Sequence, residues 1–521
     1  MGESYPKTTN EPKVHPLVAN SFVFVPTVGM RLAPEVLVLE LFREVFFASH
    51  CNESASTRDL DPEERCENRS SCYSKNEQAV IYALRGRRKK TKGSVAHSFF
   101  APAYPALARS SWLGRNRERV ILNFLLGGPI CQHLWHRGLD VEAKKHEQDE
   151  MVELISKALI GHNSCLGENV KGKEILSVAI RQADFLTDPN LAREKLHEKT
   201  QGSKWVIDID YDEIASRIAS DFKFICRLEQ TLPRMQWINV LMTFLRFAAP
   251  IWLLAQMQVT SLLHGWLLDA MDCNNVADAS TISRMISRRN RALLHPTLTP
   301  TREVFEHIER YMKHRVEVNI LLYFLEEVRP SELNAKTLDI GGKRSKTISV
   351  EQLLLTAQKA SSDFRSLARF KEIADGLDIQ RFLTREGELH PAWRDPLHKG
   401  QGKNIDEFLR VMYRAELGDE AGGYLLTPEG RGANRGFRVF PGQLLLNTVT
   451  YLAAQEKWSH NTAGGAGKLI LEDVEKHFQQ YGIDFSTAAD ARPLLMQELQ
   501  AMGLLAGSPD AGSSVAVACP Y

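Results

Sequence analysis

Pro441-Gly442-Gln443-Leu444-Leu445-Leu446 opens the stretch that decides the fold, and the chain runs from there to Gly503-Leu504-Leu505-Ala506 and Val515-Ala516-Val517-Ala518-Cys519-Pro520-Tyr521. Pro441 suits a helix start, where a missing N–H costs nothing, and Leu445, Val449 and Leu452 follow at helical spacing. Gly464-Gly465-Ala466-Gly467 breaks the pattern. A second helix then places Leu471, Val474, Phe478 and Tyr481 on one face and stops at Gly482. Asp490 can cap a third helix, with Pro493 in its first turn and Leu495, Leu499 and Met502 as its apolar stripe. Gly503 ends that helix. Leu504 to Ala506 and Val515 to Cys519 read as a hairpin around Ser508-Pro509-Asp510-Ala511-Gly512. Helix, helix, helix, hairpin is the order of a winged helix, expected over 443–521.

The charge of this module is the wrong sign for DNA. From Lys468 to Tyr521 three basic residues (Lys468, Lys476, Arg492) face seven acidic ones (Glu472, Asp473, Glu475, Asp484, Asp490, Glu498, Asp510), a net of −4. Duplex binding needs cations against phosphates. An acidic wing suits a protein partner better.

Working outward, 390–442 reads as a linker followed by an Arg- and Gly-rich loop, with Pro391, Pro396, Gly400 and Gly402 in its first part. Residues 131–389 read as a helical body, clearest from Thr299 as an N-cap, with Pro300 at the first position, through Phe305, Ile308, Met312, Val316 and Ile320 to Val328. Trp205 to Asp210 is a short strand candidate. Residues 1–130 read as an α(+β) region with an exposed loop at 52–76 and a basic run at 85–92. The fold expected is mainly α: a multi-helix body with few short strands and a C-terminal winged-helix domain.

The 521 residues carry a net charge of +1, so any nucleic-acid surface must be local. The N-terminus MGESYPKTTNEPK lacks the apolar core of a secretory signal, and eight scattered cysteines fit a reducing compartment, so a cytoplasmic location is expected. Phe247 to Leu268 holds no Asp, Glu, Lys or Arg and is long enough to span a bilayer. Gln256, Gln258, Thr260, Ser261 and His264 interrupt it, which favours a core helix, and a membrane-associated helical subunit stands as an alternative.

Motifs for chemistry are incomplete. Cys51, Cys66 and Cys72, with His50, could supply thiolate and imidazole ligands but are spaced more loosely than the tight pairs of structural zinc sites, and Cys131, His133 and His136 lack a fourth ligand nearby; no metal or cofactor is assigned. Gly464-Gly465-Ala466-Gly467-Lys468 resembles half a phosphate loop, but Thr462 and Leu469 stand where Gly and Ser/Thr are required, and Gly341-Gly342-Lys343 fails likewise. Glu142-Ala143-Lys144 and the alternating Asp208, Asp210 and Asp212 leave a metal-dependent nuclease as a further alternative.

Basic patches are better defined. Arg85, Arg87, Arg88, Lys89 and Lys90 form one. Arg288, Arg289 and Arg291 are the centre of a second, which runs to Arg315 and outnumbers its acidic residues by five. Arg431, Arg435 and Arg438 form a third. Arginine forks suit phosphate, so these eleven residues are the candidate nucleic-acid contacts.

The helical body, Ile286-Ser287-Arg288-Arg289-Asn290-Arg291, the loop Gly436-Phe437-Arg438-Val439-Phe440-Pro441-Gly442-Gln443 and the terminal Gly503-Leu504-Leu505 together resemble accessory proteins of bacterial anti-phage operons, of the methylation-associated and phosphorothioation-dependent restriction systems. The resemblance implies a non-catalytic subunit in antiviral defence. Its partners would be an ATPase, nuclease or methyltransferase subunit of the same operon, with DNA backbone as a further contact. It carries no catalytic residue over.

Overall fold

The structure, a computed structural model, describes residues 15, 17, 129–130, 133, 141–160, 207–208, 213–272, 292–328, 336–340, 343–361, 403–414, 422–430, 435–460, 468–487, 490–506 and 515–521. The chain forms two compact units. The larger comprises Met1–Leu32, Gln201–Ile218 and Arg246–Tyr521, the smaller Ala33–Thr200 and Ala219–Leu245. Helices dominate the described residues.

Helices α1 (Val141–Ile160), α2 (Glu213–Leu228) and α3 (Arg234–Asp272) come first, with the short strand β1 (Ile207–Asp208) ahead of α2. Within the smaller unit α2 and α3 meet through Phe222 and Phe244, stacked with ring centroids 6.0 Å apart. Trp237 is fully buried, and its indole N–H donates to the Ile225 carbonyl at 2.8 Å, so its polar atom is satisfied. Lys223 and His133 both reach Glu147 on α1.

Helix α3 answers the bilayer question in part. It is long and apolar enough to cross a membrane, yet 89% of its most apolar window is buried inside the protein. Such burial is the signature of a core helix. Pro250 lies inside it and the helix runs on past it. Thr260 Oγ1 bonds the Gln256 carbonyl one turn back, which satisfies a polar side chain among apolar neighbours.

Strand β2 (Thr297–Thr301) and helix α4 (Glu303–Val328) follow. The helix expected to begin at Pro300, capped by Thr299, therefore starts three residues later, at Glu303. Strand pairing outcompetes the Thr-Pro capping signal: β2 pairs antiparallel with β6 (Gly436–Val439), with Thr297 opposite Val439 and Thr301 opposite Phe437. Pro300 fits because β2 is an edge strand, where a missing N–H breaks no ladder bond. Strand β5 (Leu426–Glu429) pairs with the other side of β6, giving the order β2-β6-β5. Gly436 is needed here because a Cβ would stand 2.9 Å from the Thr301 carbonyl oxygen.

Strands β3 (Lys336–Ile340) and β4 (Lys343–Ser349) pair antiparallel, with Ile340 opposite Lys343, and Gly341-Gly342 lie outside the described residues. β1 adds to β4 in parallel, and helix α5 (Val350–Ser361) continues from β4. The stretch expected as linker and loop, 390–442, holds helix α6 (Lys403–Leu409), a 3₁₀ turn at Arg410–Met412, and the β5–β6 hairpin. Its alternating Gly436-Phe437-Arg438-Val439 buries Phe437 and Val439, which a count of glycines and prolines obscures.

The C-terminal elements are α7 (Gln443–His460), α8 (Leu471–Gln480), α9 (Ala491–Ala501), β7 (Leu505–Ala506) and β8 (Ala516–Val517). Leu445, Val449, Leu452, Leu471, Val474, Phe478, Tyr481, Leu495 and Leu499 are all buried, as their spacing predicts. Gly482 and Gly503 take φ of +75° and +72°, the left-handed stops. Asp490 occupies the N-cap of α9 but its side chain makes no cap bond, a departure from the expected role. β7 and β8 pair through Leu505–Val517 and Ala506–Ala516, and Ile470 bridges Ala516 on the other side. These elements pack on α3: Phe247 lies 4.8 Å from Tyr481 and 6.3 Å from Phe478, centroid to centroid.

Candidate functional site: basic residues, an acidic module and a histidine–glutamate cluster

Of the eleven basic candidates, Arg85, Arg87, Arg88, Lys89, Lys90, Arg288, Arg289, Arg291 and Arg431 lie outside the described residues. Arg435 and Arg438 are described, and both are engaged internally. The Arg435 guanidinium lies 5.3 Å from the Phe305 ring centroid, 5.4 Å from Phe437 and 5.6 Å from Tyr413, and 3.5 Å from Asp406. A cation against three aromatic rings is held by their negative faces. Asp406 also accepts from Arg410 at 3.0 Å and from the Tyr413 hydroxyl at 2.7 Å. Burial raises the Tyr413 phenol, and the Asp406 charge and hydrogen bond raise it further. Arg438 pairs with Glu429 across the β5–β6 hairpin. Farther along the second patch, Arg302 pairs with Glu309 at 3.3 Å and Lys313 with Glu317 at 3.9 Å.

In the C-terminal module two of the cations are paired. Arg492, the arginine of α9, pairs with Glu475 at 2.7 Å, and Lys457 binds Asp473. Asp473 additionally accepts the Ile470 N–H at 2.9 Å, capping α8 from inside its first turn. Residues Pro493, Gln497, Gln500 and Ala501 are the exposed positions of α9. Glu472 and Asp490 are exposed and Glu498 is half-exposed, as are the cations Lys468 and Lys476 exposed.

Beneath this surface Glu456 of α7 receives Arg217 of α2, His477 of α8 at 3.0 Å and Gln480 at 3.1 Å. Burial alone would raise the Glu456 carboxyl. The His477 hydrogen bond, the Arg217 charge and the Gln480 hydrogen bond overcome it and bring it down to about 2.

A cluster that sequence reasoning missed joins α3 to α4. His264 on α3, and His314 and Glu317 on α4, bring one donor atom each to within 4.8 Å of the others. His264 Nε2 lies 2.8 Å from Glu317 Oε2, and the two imidazoles stack at 4.2 Å with planes 15° apart. His314 Nδ1 is buried and has no hydrogen-bond partner among the described residues. Burial brings His314 down to about 4, helped by the neighbouring His264, so its ring is neutral at pH 7. Burial pushes the Glu317 carboxyl up, but His264 and Lys313 bring it to a net position below the usual range. The His314-x-x-Glu317 spacing puts both on one helix face. That spacing is the only signal the sequence held; the third member is fifty residues upstream.

Glu142 is an exposed residue in the first turn of α1, and Asp208 lies in the two-residue β1. Asp210 and Asp212 lie outside the described residues, as do His50, Cys51, Cys66, Cys72, Cys131 and His136.

No family model matches the chain, no curated protein matches it in sequence, and no solved structure matches it in fold.

Proposed function

We propose that this chain is a non-catalytic subunit of a bacterial anti-phage defence complex, and that its C-terminal module is a winged helix used to dock a partner protein. The observation that carries the docking reading is Arg492. In a winged helix the third helix meets the DNA major groove, and here the arginine of that helix is bound to Glu475 while the exposed positions are Pro493, Gln497, Gln500 and Ala501. A helix whose one cation is paired with Glu475, beside exposed Glu472 and Asp490, offers little to phosphate and favours a basic protein face. The defence assignment rests on the resemblance of the sequence to accessory proteins of restriction operons. The expected partners are the operon's ATPase, nuclease or methyltransferase subunits, in the cytoplasm.

DNA backbone contact, where it occurs, belongs to the patches around Arg85 and Arg288 in this reading, because Arg435 and Arg438 are occupied by Asp406 and Glu429. The test is incubation of the purified chain with plasmid in Mg²⁺ and Mn²⁺, alongside a duplex titration of wild type and Arg492→Ala. The reading expects intact plasmid and identical titrations. Cleavage abolished by Glu142→Ala, or binding lost with Arg492→Ala, would overturn it.

A further inference from the structure

We propose that His264, His314 and Glu317 form a binding site for a divalent transition metal ion, zinc being the best match, that ties α3 to α4. Two imidazole nitrogens and one carboxylate oxygen make a donor set that zinc takes up with a fourth position left to water. Nitrogen-rich donors also favour zinc and copper over magnesium or calcium. The geometry is close to what binding requires. The three donor atoms already lie within 4.8 Å of one another, and donors about 2.1 Å from a tetrahedral ion stand roughly 3.4 Å apart.

The remaining distance closes by side-chain rotation. Stacked rings point their nitrogen lone pairs along parallel planes, so one imidazole must turn out of the stack to aim at a shared ion. His314 is the one with reason to turn, because its Nδ1 is buried without a hydrogen-bond partner among the described residues. Glu317 is already aimed at His264 at 2.8 Å. Lys313, which also pairs with Glu317, stands 3.9 Å off and is mostly in solvent, so a dication displaces it readily. All three ligands are partly accessible, which gives an ion a way in. Coordination exchanges a stacked pair and the ion pairs of Glu317 for three bonds between two helices.

The chain has 16 histidines and 8 cysteines, so the test must be specific to this site. Full-length protein, stripped with a chelator, is titrated with Zn²⁺ against a chromophoric competitor, in wild type, His314→Gln and Glu317→Gln. Circular dichroism of the metal-free proteins shows whether each variant folds. The expected result is one high-affinity equivalent in wild type, weakened at least about tenfold in each variant. Zn²⁺ should raise the melting temperature of wild type and not of Glu317→Gln. A second measurement needs no variant. Co²⁺ bound to the wild-type protein should give d–d bands of a nitrogen and oxygen site without thiolate charge transfer. Equal affinity and stoichiometry in all three proteins, or a cobalt spectrum with thiolate character, would overturn the proposal.

Discussion

Leu293 covers Gly482 so closely that a Cβ on the glycine would stand 2.7 Å from the Leu293 Cγ. The two are also joined through the backbone: the N–H groups of Leu293 and Leu294 donate to the Gly482 carbonyl at 2.6 and 3.1 Å. Gly482 has φ +75°, which only glycine adopts freely. The stop of α8 is therefore also the point where the 293–294 segment is fastened down.

Gly482→Ala should carry two costs. The left-handed conformation costs about 1 kcal/mol for a residue with a Cβ, and the clash with Leu293 a further 1–3 kcal/mol. Gly503 is the matched control: φ is +72°, and nothing lies within 4 Å of its Cβ position. Chemical denaturation should show Gly482→Ala losing more than Gly503→Ala, which should lose about 1 kcal/mol. Equal losses would show that Leu293 gives way without cost.

The Glu456 network predicts a pH dependence. Its folded carboxyl titrates at about 2, below its ordinary value of 4.5. The stability it contributes is fully present above about pH 4.5 and is lost as pH falls towards 2. That contribution is on the order of 3 kcal/mol. Glu456→Gln keeps the shape but cannot hold the Arg217 charge. Denaturant midpoints measured from pH 7 down to pH 3 should fall more steeply for wild type than for the variant. Parallel curves would show that Glu456 titrates normally.

Arg435 should behave as a packing residue. Its guanidinium is held by Phe305, Phe437, Tyr413 and Asp406, so Arg435→Ala should lower stability by about 1–2 kcal/mol through lost cation–π and ion-pair contact. Duplex affinity, measured by anisotropy with the folded variant, should not change. Replacing Arg288, Arg289 and Arg291 together with Ala should instead weaken any duplex binding across sequences and flatten its salt dependence. The reverse pattern would move the nucleic-acid surface to the β5–β6 hairpin.

The C-terminal helices were legible because their apolar residues recur at helical spacing and glycines mark their ends. Leu471, Val474 and Phe478 are buried together, and Gly482 and Gly503 are left-handed. Strand β2 was not legible. Thr299-Pro300 carries a helix-start signal, and only the β6 strand, more than a hundred residues away, recruits it to a sheet. Asp490 shows the same limit, since its backbone is helical (φ −91°, ψ −16°) where a capping residue is extended, and spacing does not specify that. The internal role of Arg435 needs Phe305 and Tyr413 to converge on it, and the His264 cluster needs α3 laid beside α4. Both are products of packing, which local pattern does not record.

The docking role of the acidic module is tested most directly by charge reversal in the intact chain. Glu472→Lys, Asp490→Lys and Glu498→Lys alter accessible positions and leave the Glu456 and Phe247 contacts in place. Tagged wild type and triple variant, co-expressed with the proteins encoded beside them, are purified and the partner retained by each is quantified at low and high salt. The account predicts a folded variant that retains at least about tenfold less partner, and wild-type retention that falls as salt screens the contact. Equal retention by both proteins at both salt concentrations would contradict it.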